Sequence, residues 1–294
     1  MNVVSLSQYP HKRDEFIKLV EKSFGYEKPF QFSIDFYPLV CKKNSHNCFM
    51  FLDSQQQVIA TCAAKKRWIY KDHHMPIYFL GAISVSENFR HKGLGKDIVS
   101  QTLKKLDEVA WYGLWSEKKG FFNALGFDDY GEQFFLPEGY LTSHHSEITL
   151  HQSSLDKISQ EQKLLWKEYY LELEKKFITL LRSDEDWREI YQISSAHFIE
   201  IFKGNSSIGY AVAHKGMDLQ NVVHEFYVQP KFELSAMEEL NQKFSLWLPI
   251  FNYDWDKKFL GKNLLLRPGS KDLWNNWQER LNHKHLLISG LDSV

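Results

Sequence analysis

Cysteine is scarce in this chain: Cys41, Cys48 and Cys62 are the only three in 294 residues. An odd number with no CxxC spacing excludes a disulfide framework and a cysteine zinc site. Free buried thiols of a reducing compartment are expected instead. Long hydrophobic runs are missing too. No stretch approaches the ~20 apolar residues that a membrane-spanning helix needs. The opening MNVVSLSQYPHKRDEF has no apolar core of a secretory signal, so a cytoplasmic location is expected. Nor is there an excess of charge: 36 Lys+Arg stand against 37 Asp+Glu, which gives no basic field for sequence-independent nucleic-acid binding and no acidic tail. Thirteen histidines include His73-His74, His144-His145 and the His283/His285 pair, but none has the i, i+4 spacing of HExxH, so no metal site is expected. What the chain does have is 43% hydrophobic and 15% aromatic residues, enough for a large packed core in one domain or two.

Periodicity then orders the first half. Phe16, Leu19, Val20 and Phe24 fall at helical spacing within 11–24, and a second short helix is expected over 30–40, ending near Pro38. Three strand-like runs follow, at 48–53, 58–70 and 77–85, separated by polar turns. After the turn RHKGLG (90–95), Ile98, Val99, Leu103, Leu106 and Val109 mark one face of an amphipathic helix. A strand at 112–116, a helical segment at 118–127 and a strand near 133–136 complete the half.

Pro137, Gly139 and the polar stretch TSHHSEITLHQSS place a boundary near 140–155. Beyond it, 159–181 reads as helix, and 197–203, 207–215 and 221–228 read as a second three-strand meander. Both meanders run into an aromatic residue, Phe89 in the first and Phe232 in the second, and GLW (113–115) has an echo in SLW (245–247). A repeat of roughly 140 residues suits a duplicated domain, since solenoid units are only ~20–50 residues long. The expected division is 1–140 and 150–294.

The most informative segment is IYFLGAISVSENFRHKGLGKDIVSQTLKKL. An apolar strand ends, a basic glycine turn follows, and a helix starts at once. Gly93 and Gly95 let the backbone take positive φ and approach a ligand closely. The free N–H groups and positive dipole end of the helix make an anion site, to which Arg90, His91, Lys92 and Lys96 add charge. A pyrophosphate held mainly by backbone amides fits this pattern. An ordinary strand-to-helix turn with a solvated basic flank fits the two glycines taken alone. GxxxxGK[ST] and GxGxxG are both absent.

Arg90-His91-Lys92-Gly93-Leu94-Gly95 resembles the R/Q-x-x-G-x-G/A signature of the GNAT (GCN5-related) N-acetyltransferase superfamily. Downstream, Phe121-Phe122-Asn123-Ala124-Leu125-Gly126-Phe127 resembles that family's F-Y-x-x-L-G-F segment, and the order of elements is similar over roughly residues 1–136. The resemblance implies an α/β (α+β) GNAT fold, a mixed central sheet flanked by helices, with a second GNAT-like α/β domain following. It implies acetyl-CoA as co-substrate and an amine acceptor, small molecule or protein; charge, hydropathy and histidine spacing lead us to expect no nucleic acid, no membrane and no metal. The turn residues Arg90, His91, Lys92, Gly93, Leu94, Gly95 and Lys96 would hold the pyrophosphate. The backbone of Ile83, Ser84 and Val85 would pair with the pantetheine arm, and a strand amide there would serve as oxyanion donor. For the cofactor to enter, the strands would have to splay between Val85 and Leu114.

One position departs from the family. Where the resemblance places the tyrosine that protonates the leaving thiolate, this chain has Phe122, which has no proton to give. Water, Ser116 or Tyr130 are the alternatives, and Ser116 and Glu117 at the end of the fifth strand are the catalytic candidates. Ser116 also suits the N-cap of the segment that follows. For the base, His73, His74, Glu117 and Glu225 are conceivable, each of which also suits an ordinary surface or hydrogen-bonded role, and a water relay needs none of them.

In the second half Glu233 stands where Arg90 stands in the first, followed by Leu-Ser-Ala-Met without a glycine. A carboxylate repels pyrophosphate, so this half is expected to be a degenerate module that binds no CoA and completes the acceptor cleft. Trp247, Tyr253, Trp255, Trp274 and Trp277 suit an interface or a core, while Asp254 and Asp256 suit attraction of a cationic amine. Three functions remain in competition: an acetyl-CoA-dependent N-acetyltransferase, a CoA-binding regulatory pseudoenzyme, and a Fem-type aminoacyl transferase. The last also pairs two GNAT-like domains but has no need of the RHKGLG turn.

Overall fold

The computed structural model describes residues 1–69, 74–142, 147–247, 258–281 and 286–292. The chain begins with a two-residue strand, β1 (Val4–Ser5), and the helix α1 (Arg13–Phe24). The expected second helix is two single turns, α2 (Phe32–Asp35) and α3 (Tyr37–Val40), broken at Phe36. The three predicted strands follow as β2 (Cys48–Leu52), β3 (Val58–Ile69) and β4 (Met75–Val85), paired antiparallel in that order. Next come α4 (Leu94–Lys105), β5 (Trp111–Ser116), α5 (Lys119–Asn123) and β6 (Asp128–Leu136). Val109 is buried but lies past the end of α4, so the helical face assigned to it from periodicity stops at Lys105.

The second half comprises β7 (Ile148–Ser154), α6 (Gln160–Lys176), β8 (Leu180–Leu181), α7 (Asp184–Ile190), β9 (His197–Lys203), β10 (Ser206–Ala213) and β11 (Val222–Val228). It continues through α8 (Glu233–Asn241), β12 (Ser245–Trp247), β13 (Lys258–Pro268) and α9 (Lys271–Leu281). The segment 159–181 is thus a helix followed by a short strand. Capping boxes at Ser159 and Ser183 fix the starts of α6 and α7. The two halves follow one plan. In each, an antiparallel meander (β2–β3–β4 or β9–β10–β11) leads through a short turn of 3-10 helix into a helix (α4 or α8). A strand parallel to the last meander strand comes next, β5 beside β4 and β12 beside β11.

Among the described residues the strands other than β8 form one continuous path, β1-β2-β3-β4-β5-β13-β6-β12-β11-β10-β9-β7, and β8 pairs antiparallel with the end of β3. Strand β13 comes late in the sequence, yet it lies between β5 and β6 and pairs antiparallel with both. The far end of β6 reaches the other half, where Phe135 and Leu136 pair with Trp247 and Leu246. Each half therefore completes its sheet with a strand from the other.

Side chains of the first sheet divide between two faces. On one, Tyr78, Leu80 and Leu114 pack with Ile98, Val99 and Leu103 of α4 and with Phe122 and Phe127. On the other, Ala82 packs with Phe16, Val20, Phe32 and Phe36 of the amino-terminal helices. Farther along that second face, Phe79 and Trp111 pack with Trp277 of α9, with the Trp111 and Trp277 ring centroids 5.8 Å apart.

Candidate functional site

The turn after β4 is shaped by two residues in the left-handed region. His91 has φ +60° and Gly93 has φ +81°, and Gly93 is the N-cap of α4. At Gly93 a side chain would be strained by the backbone whatever the space around it, so glycine suits the position. The amides of Lys96 and Asp97 donate to the Gly93 carbonyl, and the amides of Leu94 and Gly95 precede this first bonded turn. Arg90, His91, Lys92, Gly93 and Lys96 are exposed, and Leu94 and Gly95 are half-buried. The Arg90 Nε donates to the Val85 carbonyl at 3.2 Å, tying the turn to the end of β4, while Lys92 Nζ donates to the Asn88 carbonyl. A helix start with free amides, a positive-φ glycine and surface cations is a fit for a phosphate group.

Beside this turn the sheet opens. Strands β4 and β5 pair in parallel only from Ile77↔Trp111 to Phe79↔Gly113, although β4 continues to Val85 and β5 to Ser116. The cause lies in β4. Between the Thr61↔Ser84 and Ala63↔Gly81 pairs, Ala82 and Ile83 both face Cys62, and Ala82 takes φ +53°. This bulge turns the strand away from β5. It also inverts the alternation, so that Ile83 and Val85 point to the α4 face while Ala82 lies on the opposite face. Ser84, by the same alternation, shares the face of Ala82. The structure thus brings Ile83, Ser84, Val85 and residues 90–96 together at one end of an open strand pair.

The catalytic candidates take different places. Ser116 Oγ accepts a hydrogen bond from the Lys118 amide at 3.0 Å, so the hydroxyl braces the entry to α5 and keeps its own proton. Glu117 is exposed beside it. Phe122 is 6% exposed and packs edge-on against Phe121 and Phe127, inside the α4-side core. It is Phe121 that lies against the turn: a Cβ at Gly95 would fall 3.3 Å from its ring. Tyr130 packs on the opposite face with Trp277, and burial raises its pKa, partly offset by the Trp277 indole. That face does not border the turn.

Glu225 is held away from the opening. Its carboxylate is buried and accepts from Arg182, from Trp166 Nε1 at 2.9 Å and from the Tyr210 hydroxyl at 2.9 Å. Burial pushes the carboxyl up, but the Arg182 guanidinium outweighs it and leaves the pKa lowered. A carboxylate fixed in this way is a structural anchor of the second half, not a proton acceptor for the opening. His74 is exposed and lies edge-on to Trp68, near the start of β4 and far along the strand from the turn. His73, His144, His145, Tyr253, Asp254, Trp255, Asp256, His283 and His285 lie outside the described residues. Among the described residues no group of three or more His, Cys, Asp or Glu is placed to hold a metal ion. No described helix is long and apolar enough to cross a membrane. The three cysteines are buried and free; burial raises each thiol, to about 12 at Cys48 and Cys62.

With the opened strand pair and its glycine turn in view, the sequence of this half can be placed. Residues 13–126 match the profile of the Acetyltransferase (GNAT) family. This segment is a GNAT domain. A search of curated proteins finds no match to the sequence. Solved structures share the fold over most of the chain. The GCN5-related N-acetyltransferase from Anabaena variabilis ATCC 29413 superposes with a TM-score of 0.61 at 12% identity, covering 88% of this chain and 70% of that one. A conserved protein from Enterococcus faecalis V583, described as a probable N-acyltransferase, gives 0.63 at 14% identity over 93% of this chain and 73% of its own. Eis1 from Mycobacterium abscessus gives 0.57 at 9% identity over 91% and 74%. The likeness extends beyond the GNAT domain into the second half, whose sheet, helices and parallel strand pair form a GNAT-like unit.

Some residues around the opening carried no signal in the sequence. Ser84 enters the expected site through its backbone, and its Oγ is buried without a hydrogen-bond partner. Trp115 Nε1, at the end of β5, is buried without a hydrogen-bond partner as well.

Proposed function

We propose that the chain is an N-acetyltransferase, moving the acetyl group of acetyl-CoA to a primary amine. The observation that carries this reading is the opening of β4 from β5 directly beside the Gly93 helix start. The amides of Leu94 and Gly95, with Arg90, Lys92 and Lys96 around them, would hold the pyrophosphate. The backbone of Ile83 to Val85, released from β5 by the bulge, would take the pantetheine arm as an added strand. Bound there, acetyl-CoA supplies an activated acyl carbon.

The chain's own part is to position and to handle protons. A free strand amide near the bulge would donate to the developing oxyanion. Ser116, whose hydroxyl accepts from Lys118 and retains its proton, is the proposed donor to the leaving sulfur, with Glu117 beside it as the acceptor of the amine proton through water. The second half would bind no CoA. Glu233 opens α8 where the first half has its basic turn, and no glycine is present to let the backbone approach a phosphate. Its role in this reading is to wall the acceptor side. The GNAT domain's intact turn favours CoA binding, which an aminoacyl transferase would not need. A regulatory CoA-binding protein shares that turn and differs only in lacking turnover.

The reading is tested at the turn. Gly93→Asp puts a strained backbone and a negative charge where the pyrophosphate would sit, and retention on immobilised CoA should be lost. Retention equal to that of the wild type removes the site from 90–96.

A further inference from the structure

Strand β3 is paired along one edge by β4, but along the other by two separate strands. β2 covers that edge as far as the Cys48↔Ala63 pair, and β8 takes it up again at Leu181↔Trp68. On β3 these pairs are about five residues apart, roughly 17 Å of strand. Within the interval the Asn44 side chain donates to the Ala64 carbonyl at 2.9 Å, from the side of β2. Backbone groups two residues apart on a strand point the same way, so the N–H and C=O of Lys66 also point away from β4 and into the gap. Neither β2 nor β8 reaches them, and no turn or loop backbone among the described residues bonds to them. An unpaired strand edge is a template for another backbone.

A cavity of about 1190 Å³ opens on this gap. None of its lining residues belongs to 83–96, so it is separate from the glycine turn and the end of β4 beside it. Its two sides differ in charge. Toward α7, Lys65 pairs with Glu189 at 2.5 Å and Lys43 with Glu185 at 2.6 Å, while Arg182 is held by Glu225 and Asp292. Every cation there is answered. Toward α4, Lys66 Nζ lies 5.6 Å from the Trp68 ring centroid and 5.8 Å from that of Tyr78, and it holds Asp107 at 2.8 Å. Lys105, the last residue of α4, lines the same side, is exposed, and has no ion-pair partner among the described residues. Glu174 reaches the lining from α6 and has a partner of its own. The α4 side is therefore one negative charge short.

We propose that this gap is a docking site for an extended acidic segment of a partner protein, which enters as a short strand between β2 and β8 with a Glu or Asp opposite Lys66. A residue in that position exchanges both backbone hydrogen bonds with Lys66. Its side chain falls on the same face as that of Lys66, on the Lys105 side, where the charge is unanswered. The residues flanking it point toward α7, where the cations are already paired, so small or apolar side chains suit them. The proposal stands on the open edge and the charge beside it, and does not rest on acyl transfer.

The test uses the full chain and fluorescent, capped pentapeptides in which Val and Thr flank a central Glu. One counterpart has Gln at the centre, and another carries an N-methyl group on the central amide. Binding is read by anisotropy, and its place by hydrogen exchange. The Glu peptide is expected to bind roughly tenfold or more tightly than the Gln peptide, an advantage that raised salt should shrink. N-methylation should abolish binding, because it removes a ladder donor. Lys105→Glu, an exposed substitution that breaks no ion pair, should erase the preference for Glu. Exchange over 64–67 should slow when the Glu peptide binds. Absence of Glu-peptide binding overturns the proposal, as does equal binding of the N-methylated peptide, a preference untouched by Lys105→Glu, or unchanged exchange at 64–67. Free glutamate that competes at the concentration of the peptide would show a pocket for a small anion and overturn the added strand.

Discussion

A phenylalanine stands where GNAT enzymes of the resembled pattern place a proton-donating tyrosine, and its surroundings decide what that substitution means. Phe122 faces the apolar core with Phe127, Cys62 and Leu265, not the opened strands. Restoring the hydroxyl would bury a polar group without a partner. Phe122→Tyr is therefore expected to lower stability by about 1–3 kcal/mol and to leave acetyl transfer no faster, as denaturant titration and thiol release would check. A clear gain in rate would mean that the ring turns toward the cofactor. At this scale the turn residues were legible from sequence because Arg90 to Lys96 form a local signature whose geometry follows from glycine and the helix start. The burial of Asp35 was not legible. It depends on the backbone at Gly216, which lies about 180 residues away in sequence.

Among the elements, β4 and β13 decide the architecture. Periodicity located β4 within two residues of its start and at its end, because an apolar run bounded by turns is a local property. The bulge at Ala82 left no such trace, since an extra residue in a strand is visible only against its partner, β3. The place of β13 was equally hidden. The sequence analysis marks no strand over 258–268, and nothing local says that this segment pairs with Leu114 and Trp115 on one side and with β6 on the other. A consequence follows for dissection of the chain. Residues 1–140 alone lack the strand between β5 and β6 and expose the face that Trp277 covers. This fragment should be aggregated or unfolded by circular dichroism and should regain solubility when coexpressed with 141–294. A fragment 1–140 that folds alone and binds CoA would show that β13 is dispensable.

At the scale of the whole molecule, the seam between the halves is rich in buried titratable groups, and the fold should be sensitive to acid there. His224 is buried, with its Nε2 2.7 Å from the His214 carbonyl, and burial lowers its pKa to about 4. Above pH ~6.5 the imidazole is neutral both folded and unfolded and costs nothing. As pH falls from there toward 4, the unfolded chain takes up a proton that the folded one refuses, so stability is lost, by about 3 kcal/mol from this group in full. Burial also lowers His197 and His214, which adds to the loss in the same direction. His224→Gln keeps a donor for the His214 carbonyl without the titration. Its melting temperature should fall less between pH 6.5 and 4 than that of the wild type, and an identical pH profile would contradict the assignment. The repeated plan of the two halves was legible in outline from their matching meanders, whereas the strands they exchange were not. The account as a whole turns on chemistry at the opened strand pair beside Gly93. Its most direct test is a mass-spectrometric screen of an amine library with acetyl-CoA, run with wild type and Gly93→Asp side by side. The account predicts acceptors heavier by one acetyl group with the wild type and none with Gly93→Asp; tight CoA binding with no acetylated product across mono- and polyamines would contradict it.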